Sequence, residues 1–208
     1  MNKLHALSID AEFTSFDMIG GDLISFAVIE IMDDFSLGRE WQGYFKPRSA
    51  IYFTDKAQAV HGISYFKALK FPEPRTSIIE LLQWLKPIME EFPVSTVYWG
   101  SWNFDLKWLE NTSEQVDLKK SYMKAFKQGK ENHINALRMA QDKLKHIPLP
   151  NGQLSEKDSK KGQYKLDNVA RFYELDHNHH DSLSDARVTA QIYCKMMKGE
   201  KIWTGELI

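Results

Sequence analysis

The chain has 208 residues, of which 43% are hydrophobic and 26% charged, and its formal net charge is −1. This composition is typical of a folded globular protein and excludes intrinsic disorder. The single cysteine excludes an internal disulfide, and no run of about 18 apolar residues predicts a membrane span. Because the start also lacks a signal-peptide-like apolar segment, we expect one cytoplasmic domain over residues 1–208.

The charges are distributed unevenly along the chain. Residues 119–165 contain 12 Lys/Arg against four Asp/Glu, whereas the rest of the chain is acidic. This basic stretch includes a Lys-rich loop near residues 146–163. It is equally consistent with a solvated loop and with a surface that holds a polyanion beside an acidic site.

Residues 4–45 have the pattern of a three-stranded meander. Apolar and polar residues alternate with period two over Leu4–Phe13, which predicts a strand. The Gly20-Gly21 pair then turns the chain into a second strand, Leu23–Met32, and a third follows at Arg39–Phe45. Short turns between consecutive strands predict antiparallel pairing.

The middle of the chain changes to helical spacing. Residues 55–61 and 77–89 are predicted helices, the second ending before Pro93. Thr96–Trp99 reads as a buried strand, and a helix is expected from about Asn103 to Glu110. Because a helix connects two strands here, part of the sheet should be parallel.

The last part of the chain is predicted to be mostly helical. A final short strand is expected at Gln115–Leu118. Helices are expected at Ser121–Phe126, Asn132–Leu144, Leu166–Tyr173 and Leu183–Met197. The predicted architecture is therefore α/β, with a mixed central sheet of about five strands flanked by helices.

Two carboxylates interrupt the otherwise apolar first strand. Asp10 and Glu12 leave the same face of that strand, about 6.6 to 7 Å apart along the backbone. Like charges this close need cations between them, and oxygen ligands suit Mg²⁺ or Mn²⁺ better than Zn²⁺. The alternative is that the strand simply ends in polar residues.

Two further carboxylates have ordinary structural explanations. Asp105 lies in the first turn of a predicted helix, where the helix dipole favours an acidic residue. Asp185 completes a capping-box pattern that begins at Ser182, although Ser184 is an alternative cap. However, Asp10, Glu12 and Asp105 all lie at the carboxyl ends of predicted strands, and ligand sites in open sheets gather at strand ends.

A histidine-rich segment precedes Asp185. His180 lies five residues before it, and its ordinary pKa near 6.5 suits a general base near neutral pH. Its neighbours His177 and His179 offer a competing interpretation, a zinc site built on the three histidines. A solvated loop is the third alternative.

Three motifs together resemble the DEDDh family of 3′-to-5′ exonucleases, which includes polymerase proofreading subunits, RNase T and oligoribonuclease. In chain order they are residues 9–14 (IDAEFT), 102–105 (WNFD) and 180–186 (HDSLSDA). Two weaker segments, residues 60–64 (VHGIS) and 166–170 (LDNVA), also match. The resemblance spans roughly Leu7 to Met197.

This resemblance implies an RNase H-like fold and a two-metal phosphodiester hydrolase. Two Mg²⁺ or Mn²⁺ ions would lie about 3.5 to 4 Å apart. By analogy Asp10 would bridge both ions, Glu12 and Asp185 would hold the ion that carries the attacking water, and Asp105 would support the other. His180 would be the general base. The expected reaction releases nucleoside 5′-monophosphates from the 3′ end of single-stranded DNA or RNA.

The resemblance also implies which residues contact the terminal nucleotide. These expected substrate-binding residues are Phe13, Thr14, His61, Ile63, Trp102 and Asn103. Phe13 and Trp102 are equally consistent with ordinary core packing. The sequence departs from the family pattern at Phe13-Thr14-Ser15 and at Ser101-Trp102, which leaves the preference for DNA or RNA open.

Two other functions remain as alternatives at this point. The same fold could serve as a non-catalytic module that binds single-stranded nucleic acid, but the repulsion among its retained carboxylates would then be unexplained. The zinc interpretation predicts stoichiometric zinc on His177, His179 and His180. The oligomeric state is left open by the sequence.

Overall fold

A computed structural model describes residues 3–15, 17, 20–91, 95–100, 104–126, 133–147, 149 and 163–201. Most of the Lys-rich loop lies outside the described residues. Two of the expected substrate-binding residues, Trp102 and Asn103, also lie outside them.

The described strands form a mixed five-stranded sheet with the order β3-β2-β1-β4-β5. The first three strands pair antiparallel, as predicted, and β4 and β5 extend the sheet in parallel from β1. The strands are β1 (Leu4–Phe13), β2 (Leu23–Met32), β3 (Leu37–Tyr44), β4 (Ser95–Tyr98) and β5 (His133–Asn135). The predicted mixed α/β architecture is confirmed.

Helices flank the sheet on both faces. Several begin at a polar residue whose side chain accepts a backbone N–H, including Thr54, Ser64, Asn135 and Asp181. The described α-helices are α1 (Asp55–His61), α2 (Tyr65–Ala68), α3 (Pro74–Leu85), α4 (Phe104–Gln115), α5 (Lys119–Phe126), α6 (Ala136–Lys143), α7 (Leu166–Phe172) and α8 (Ser182–Met197), with 3₁₀ turns at Ala50–Tyr52 and Lys86–Glu91.

The alternation of β1 divides its side chains between two cores. Leu7 and Ile9 pack with residues of α3, α4 and α5 on one face. Ala6 lies on the other face, where it packs with Ala186 and Ala190 of α8. These small side chains allow α8 to approach the sheet closely, and Ser8 Oγ donates a hydrogen bond of 2.8 Å to the Ala186 carbonyl. The face that carries Asp10 and Glu12 therefore meets the first turns of α8.

The predicted strand at Gln115–Leu118 is wrong. Gln115 ends α4, and Asp117 has a positive φ of 60°. The Leu118 N–H donates to the Ser113 carbonyl and the Asp117 N–H to the Glu114 carbonyl, which is a Schellman helix end. The apolar residues of this segment thus close the helix against the core instead of pairing with a strand.

The fifth strand occurs instead at His133–Asn135, where the sequence pattern predicted a helix over Asn132–Leu144. Thr96 of β4 pairs with His133, and the helix starts only after Asn135 caps it. The predicted helix at 77–89 also differs. It runs from Pro74 to Leu85 and continues as a 3₁₀ turn, because Pro87 cannot donate the next helical hydrogen bond.

Within the described part of the chain, no helix is both long enough and apolar enough to span a bilayer.

Candidate active site

A cavity of about 460 Å³ opens where β1 and β4 end. It is lined by the five residues expected to carry the chemistry, which are Asp10, Glu12, Asp105, His180 and Asp185. The four carboxylates, called the acidic cluster below, come from three separate elements. Folding therefore brings together residues that are 175 positions apart in the chain.

Asp10, Glu12 and Asp185 form the densest part of the acidic cluster. One carboxylate oxygen from each lies within 4.8 Å of the others. The two β1 residues point to the α8 face because they continue the alternation of Ala6 and Ser8. Asp185 meets them from the first turn of α8, where its own N–H bonds the Asp181 carbonyl at 2.8 Å.

Asp105 reaches the acidic cluster from the first turn of α4. The described pairing of β1 with β4 ends at Ser8–Val97, so β1 continues beyond its neighbour. The backbone of Ala11 on β1 and that of Asp105 itself favour the ionised form of the Asp105 carboxylate. Asp105 therefore lies beside β1 and Asp10 although it belongs to a different element.

Burial and mutual repulsion make the acidic cluster a poor place for four negative charges. For Asp10, Glu12 and Asp105, burial is the largest cause of a raised pKa, and the neighbouring carboxylates add to it. The pKa of Glu12 is raised to about 9 and that of Asp105 to about 7, and that of Asp10 is raised well above its usual range. The metal-free site therefore holds protons that a cation would replace.

These residues fit a hard divalent cation. Each offers carboxylate oxygen, and Mg²⁺ and Mn²⁺ prefer oxygen ligands. Three of the four carboxylates are less than 10% exposed. Burying acidic groups this close together lowers the stability of the folded protein unless a cation is bound. A divalent ion would turn that repulsion into attraction.

His180 sits at the edge of the cavity in a constrained backbone conformation. Its φ of 64° is in the left-handed region, and its N–H donates to Asp185 Oδ2 at 3.3 Å. The His179 ring stacks on it with centroids 3.7 Å apart. Partial burial, followed by the neighbouring His179, lowers the pKa of His180. The ring is thereby kept neutral and able to accept a proton.

The sequence suggests His177 only as a zinc ligand, whereas the structure places it against Asp185. Its Nε2–H hydrogen-bonds Asp185 Oδ1, and its side chain is only 5% exposed. Its Nδ1 lies 2.6 Å from Asp167 Oδ1, within ion-pair distance but without hydrogen-bond alignment. Burial opposes protonation of this ring, yet the two carboxylates outweigh it and raise its pKa. Nothing in the sequence distinguishes this histidine from its neighbours.

The start of α8 differs from both predicted caps. Asp181, rather than Ser182 or Ser184, accepts the Ser184 N–H and caps the helix. Ser182 is buried, and its hydroxyl contacts Ser25 Oγ of β2 and accepts from Gln42 Nε2 of β3. These contacts hold the first turn of α8, and therefore Asp185, against the sheet.

Aromatic side chains form the other side of the cavity. Phe13 stacks on Trp108 with centroids 5.1 Å apart, and it both packs against the core and lines the cavity. Phe104 is 48% exposed at the opening. Together with Trp99 these four residues are called the aromatic wall.

The remaining expected substrate contacts have different positions. His61 and Ile63 line a smaller neighbouring cavity, and His61 also lines the larger one. His61 Nδ1 accepts the Ile63 N–H at 3.1 Å across Gly62, whose φ of 69° makes that turn possible. Thr14 lines neither cavity; it is fully buried, and its hydroxyl accepts the Asp22 N–H. The Thr14 side chain therefore stabilises the fold between β1 and β2.

The histidines singled out for zinc do not form one three-histidine cluster. Instead, His177 and His179 have ligating atoms within 4.8 Å of Asp167, and His179 and His180 have such atoms near Asp185. In the group of Asp167, His177 and His179, the negative charge of Asp167 is already paired with His177.

The comparisons with known proteins place this site in a family. The family model described as Exonuclease (RNase_T) matches residues 7–193, so the chain belongs to this exonuclease family. No curated protein sequence matches the chain significantly. The resemblance stated from the three motifs is confirmed.

Solved structures agree at the level of the fold. The chain is 19% identical to the nuclease domain of 3′hExo, a DEDDh family member bound to rAMP, with a TM-score of 0.67 and coverage of 98% of this chain and 96% of that one. A 3′-exonuclease that recognises the 3′ end of a histone mRNA stem-loop is 17% identical, with a TM-score of 0.66 and coverage of 100% and 91%. Product-bound exonuclease I is 16% identical, with a TM-score of 0.69 and coverage of 96% and 44%. The fold is RNase H-like.

Proposed function

We propose that this protein is a divalent-metal-dependent 3′-to-5′ exonuclease that releases nucleoside 5′-monophosphates from single-stranded DNA or RNA. The observation that supports it most is the acidic cluster, which lies beside a cavity large enough for a nucleotide. Asp10, Glu12, Asp105 and Asp185 would hold Mg²⁺ or Mn²⁺. When bound, two such ions stabilise charge on the attacking and leaving oxygens of phosphoryl transfer.

His180 is the proposed general base. It lies at the cavity edge, and its lowered pKa leaves the ring unprotonated near neutral pH. A neutral imidazole there can take a proton from the water that attacks the scissile phosphate. The Asp185–His180 backbone hydrogen bond keeps this ring beside the acidic cluster.

The aromatic wall is the proposed binding surface for the terminal base. An aromatic ring that stacks on a base contributes about 1 to 3 kcal/mol and accepts every base. Phe13 is already held by Trp108. The wall therefore favours a terminal nucleotide whose base is unpaired, since a paired base cannot enter a cavity.

A direction assay tests this function. A single strand labelled at its 5′ end should give a ladder that shortens from the 3′ end with Mn²⁺ or Mg²⁺, and none with EDTA. The same strand labelled at its 3′ end should release a labelled mononucleotide from the first time point. Release of 5′-terminal nucleotides first, or no cleavage with either metal, would contradict the proposal.

The same samples separate the alternative functions. A non-catalytic binding module would retain the strand intact while shifting its mobility, and calorimetry would show no Mn²⁺ binding to the metal-free protein. A zinc protein would contain stoichiometric zinc by elemental analysis. A zinc-free preparation that cleaves the strand would exclude a zinc requirement.

A further inference from the structure

Glu12 of the acidic cluster lies at the boundary between two cavities. The larger cavity has the aromatic wall, whereas the smaller one, of about 170 Å³, is lined mainly by polar side chains such as Tyr44, Asn178 and His179. Glu12, His61 and His180 line both. A strand whose scissile phosphate lies at the acidic cluster therefore has space on either side of that phosphate.

The sizes of the two cavities indicate which part of the nucleic-acid strand each cavity holds. A volume of about 460 Å³ with aromatic walls suits a nucleoside, and about 170 Å³ is below the usual range of ligand pockets. The smaller cavity has room for a sugar-phosphate segment but not for a whole nucleotide. Its polar lining suits that segment better than a base.

A positively charged side chain, that of Lys67, lines the smaller cavity. Among the described residues that line either cavity, Lys67 is the one lysine or arginine. No described carboxylate lies within ion-pair distance of it. Asp181 and Glu12 also line the smaller cavity and would repel a phosphate that enters it. The positive charge of Lys67 would offset this repulsion.

The backbone around Lys67 is fixed although its side chain is exposed. The Lys67 N–H donates to the capping Ser64 hydroxyl at 3.3 Å. The next residue, Ala68, is fully buried and packs with Ile24 and Ile63. The short helix α2 is thereby anchored beside β2, and the ammonium group samples only the space that a lysine side chain spans from this point.

We propose that Lys67 binds a backbone phosphate on the 5′ side of the scissile bond, so that the smaller cavity holds the backbone of the penultimate nucleotide. This inference rests on the proposed exonuclease function. The enzyme should therefore prefer a strand with at least one phosphate upstream of the scissile bond. It should show no preference for the upstream base, because the contact is with phosphate alone. This contact is also salt-sensitive.

The test compares Lys67→Ala with Lys70→Ala, a control that removes an exposed lysine lining neither cavity. Two substrates are used with Mn²⁺, a ten-nucleotide single strand and the p-nitrophenyl ester of thymidine 5′-monophosphate. The ester carries the scissile phosphate but no upstream nucleotide. The readouts are kcat and KM for both substrates and the salt dependence of kcat/KM for the strand.

Lys67→Ala should lower kcat/KM for the strand by about three- to fivefold, as expected for one exposed ion pair, with most of the change in KM. It should reduce the slope of log(kcat/KM) against log salt by about 0.7. Hydrolysis of the ester should be unchanged, Lys70→Ala should match wild type on both substrates, and Lys67→Arg should restore the strand activity.

Two results would overturn the inference while leaving the exonuclease function standing. One is a Lys67→Ala variant that matches wild type on the strand. The other is an equal loss on the strand and the ester, which would place Lys67 at the scissile phosphate or in the fold. Wild-type protein that hydrolyses neither substrate would overturn the proposed function and this inference together.

Discussion

The acidic cluster and the aromatic wall face each other across one cavity, yet they are held in different ways. Glu12, Asp105 and Asp185 are each less than 10% exposed, and they are fixed by strand alternation, helix first turns and backbone hydrogen bonds. The aromatic wall is less uniform, because Trp108 is buried in the core and stacks on Phe13, whereas Phe104 is 48% exposed. The carboxylates are therefore held in fixed positions, whereas the Phe104 ring has space to adjust. Changes in the cluster should affect turnover, and changes in the wall should affect binding.

Removing a charge from the acidic cluster should have the largest effect. Asp10→Asn should lower kcat at least about 1000-fold, because the cluster would lose a carboxylate that binds the catalytic metal. The metal-free variant should unfold at the same or a higher temperature, because burying Asp10 requires its carboxylate to take up a proton on folding, whereas asparagine requires none. Kinetics with Mn²⁺ and thermal unfolding in EDTA measure the two effects.

The control for this prediction is Asp142→Asn, which removes an exposed carboxylate on α6. It should keep wild-type turnover. Wild-type rates in Asp10→Asn would contradict the assignment of this carboxylate to the metal site.

The support of Asp185 by His177 should matter next. His177→Ala frees Asp185 Oδ1 and should weaken Mn²⁺ binding to the metal-free protein about tenfold, the usual effect of losing a partner of a metal ligand. Calorimetric titration measures this directly, and the Mn²⁺ concentration for half-maximal activity should rise in parallel. His177→Gln retains an amide donor and should recover part of the affinity. Equal Mn²⁺ affinity in wild type and His177→Ala would remove His177 from the site.

A change in the aromatic wall should act on binding alone. Phe104→Ala should raise KM about fivefold, the lower part of the range for a stacked base because the ring is half exposed, and should leave kcat nearly unchanged. Phe66→Ala is the matched control, since Phe66 is 79% exposed but lines neither cavity. A fall in kcat with unchanged KM would show that the wall takes part in the chemical step.

A separate effect, on folding rather than on activity, concerns stability against pH. Below about pH 4.5 Glu12 is protonated in both the folded and the unfolded chain, whereas above it only the folded chain retains the proton, up to about pH 9. Asp105 acts in the same direction up to about pH 7. The metal-free protein should therefore lose stability as the pH rises from 5 to 8.

Urea unfolding at pH 5 and pH 8 in EDTA checks this slope. Glu12→Gln should make it shallower, and Mn²⁺ should make it shallower in the wild type. A metal-free protein that becomes more stable between pH 5 and pH 8 would contradict the account of the buried carboxylates.

Sequence patterns place each carboxylate of the acidic cluster on its strand or helix, whereas the resemblance to the exonuclease family is what predicts that the four form one site. The period of β1 places Asp10 and Glu12 on one face, and the positions of Asp105 and Asp185 at helix starts follow from local signals. The sequence does not predict the contact of His177 with Asp185, which depends on how a loop folds over α8. It also misassigned His133–Asn135, since a three-residue edge strand has too few residues to show a period. The proposed phosphate contact of Lys67 could not be predicted from the sequence, because it depends on which cavity the short helix α2 borders.

The central claim is that the four carboxylates of the acidic cluster bind divalent ions together. Anomalous X-ray diffraction from crystals soaked in Mn²⁺ with a nucleoside 5′-monophosphate tests it most directly. Two Mn²⁺ peaks should appear among Asp10, Glu12, Asp105 and Asp185, with the base of the nucleotide against the aromatic wall. Peaks only at Asp167, His177 and His179, or a cluster without manganese, would contradict the claim.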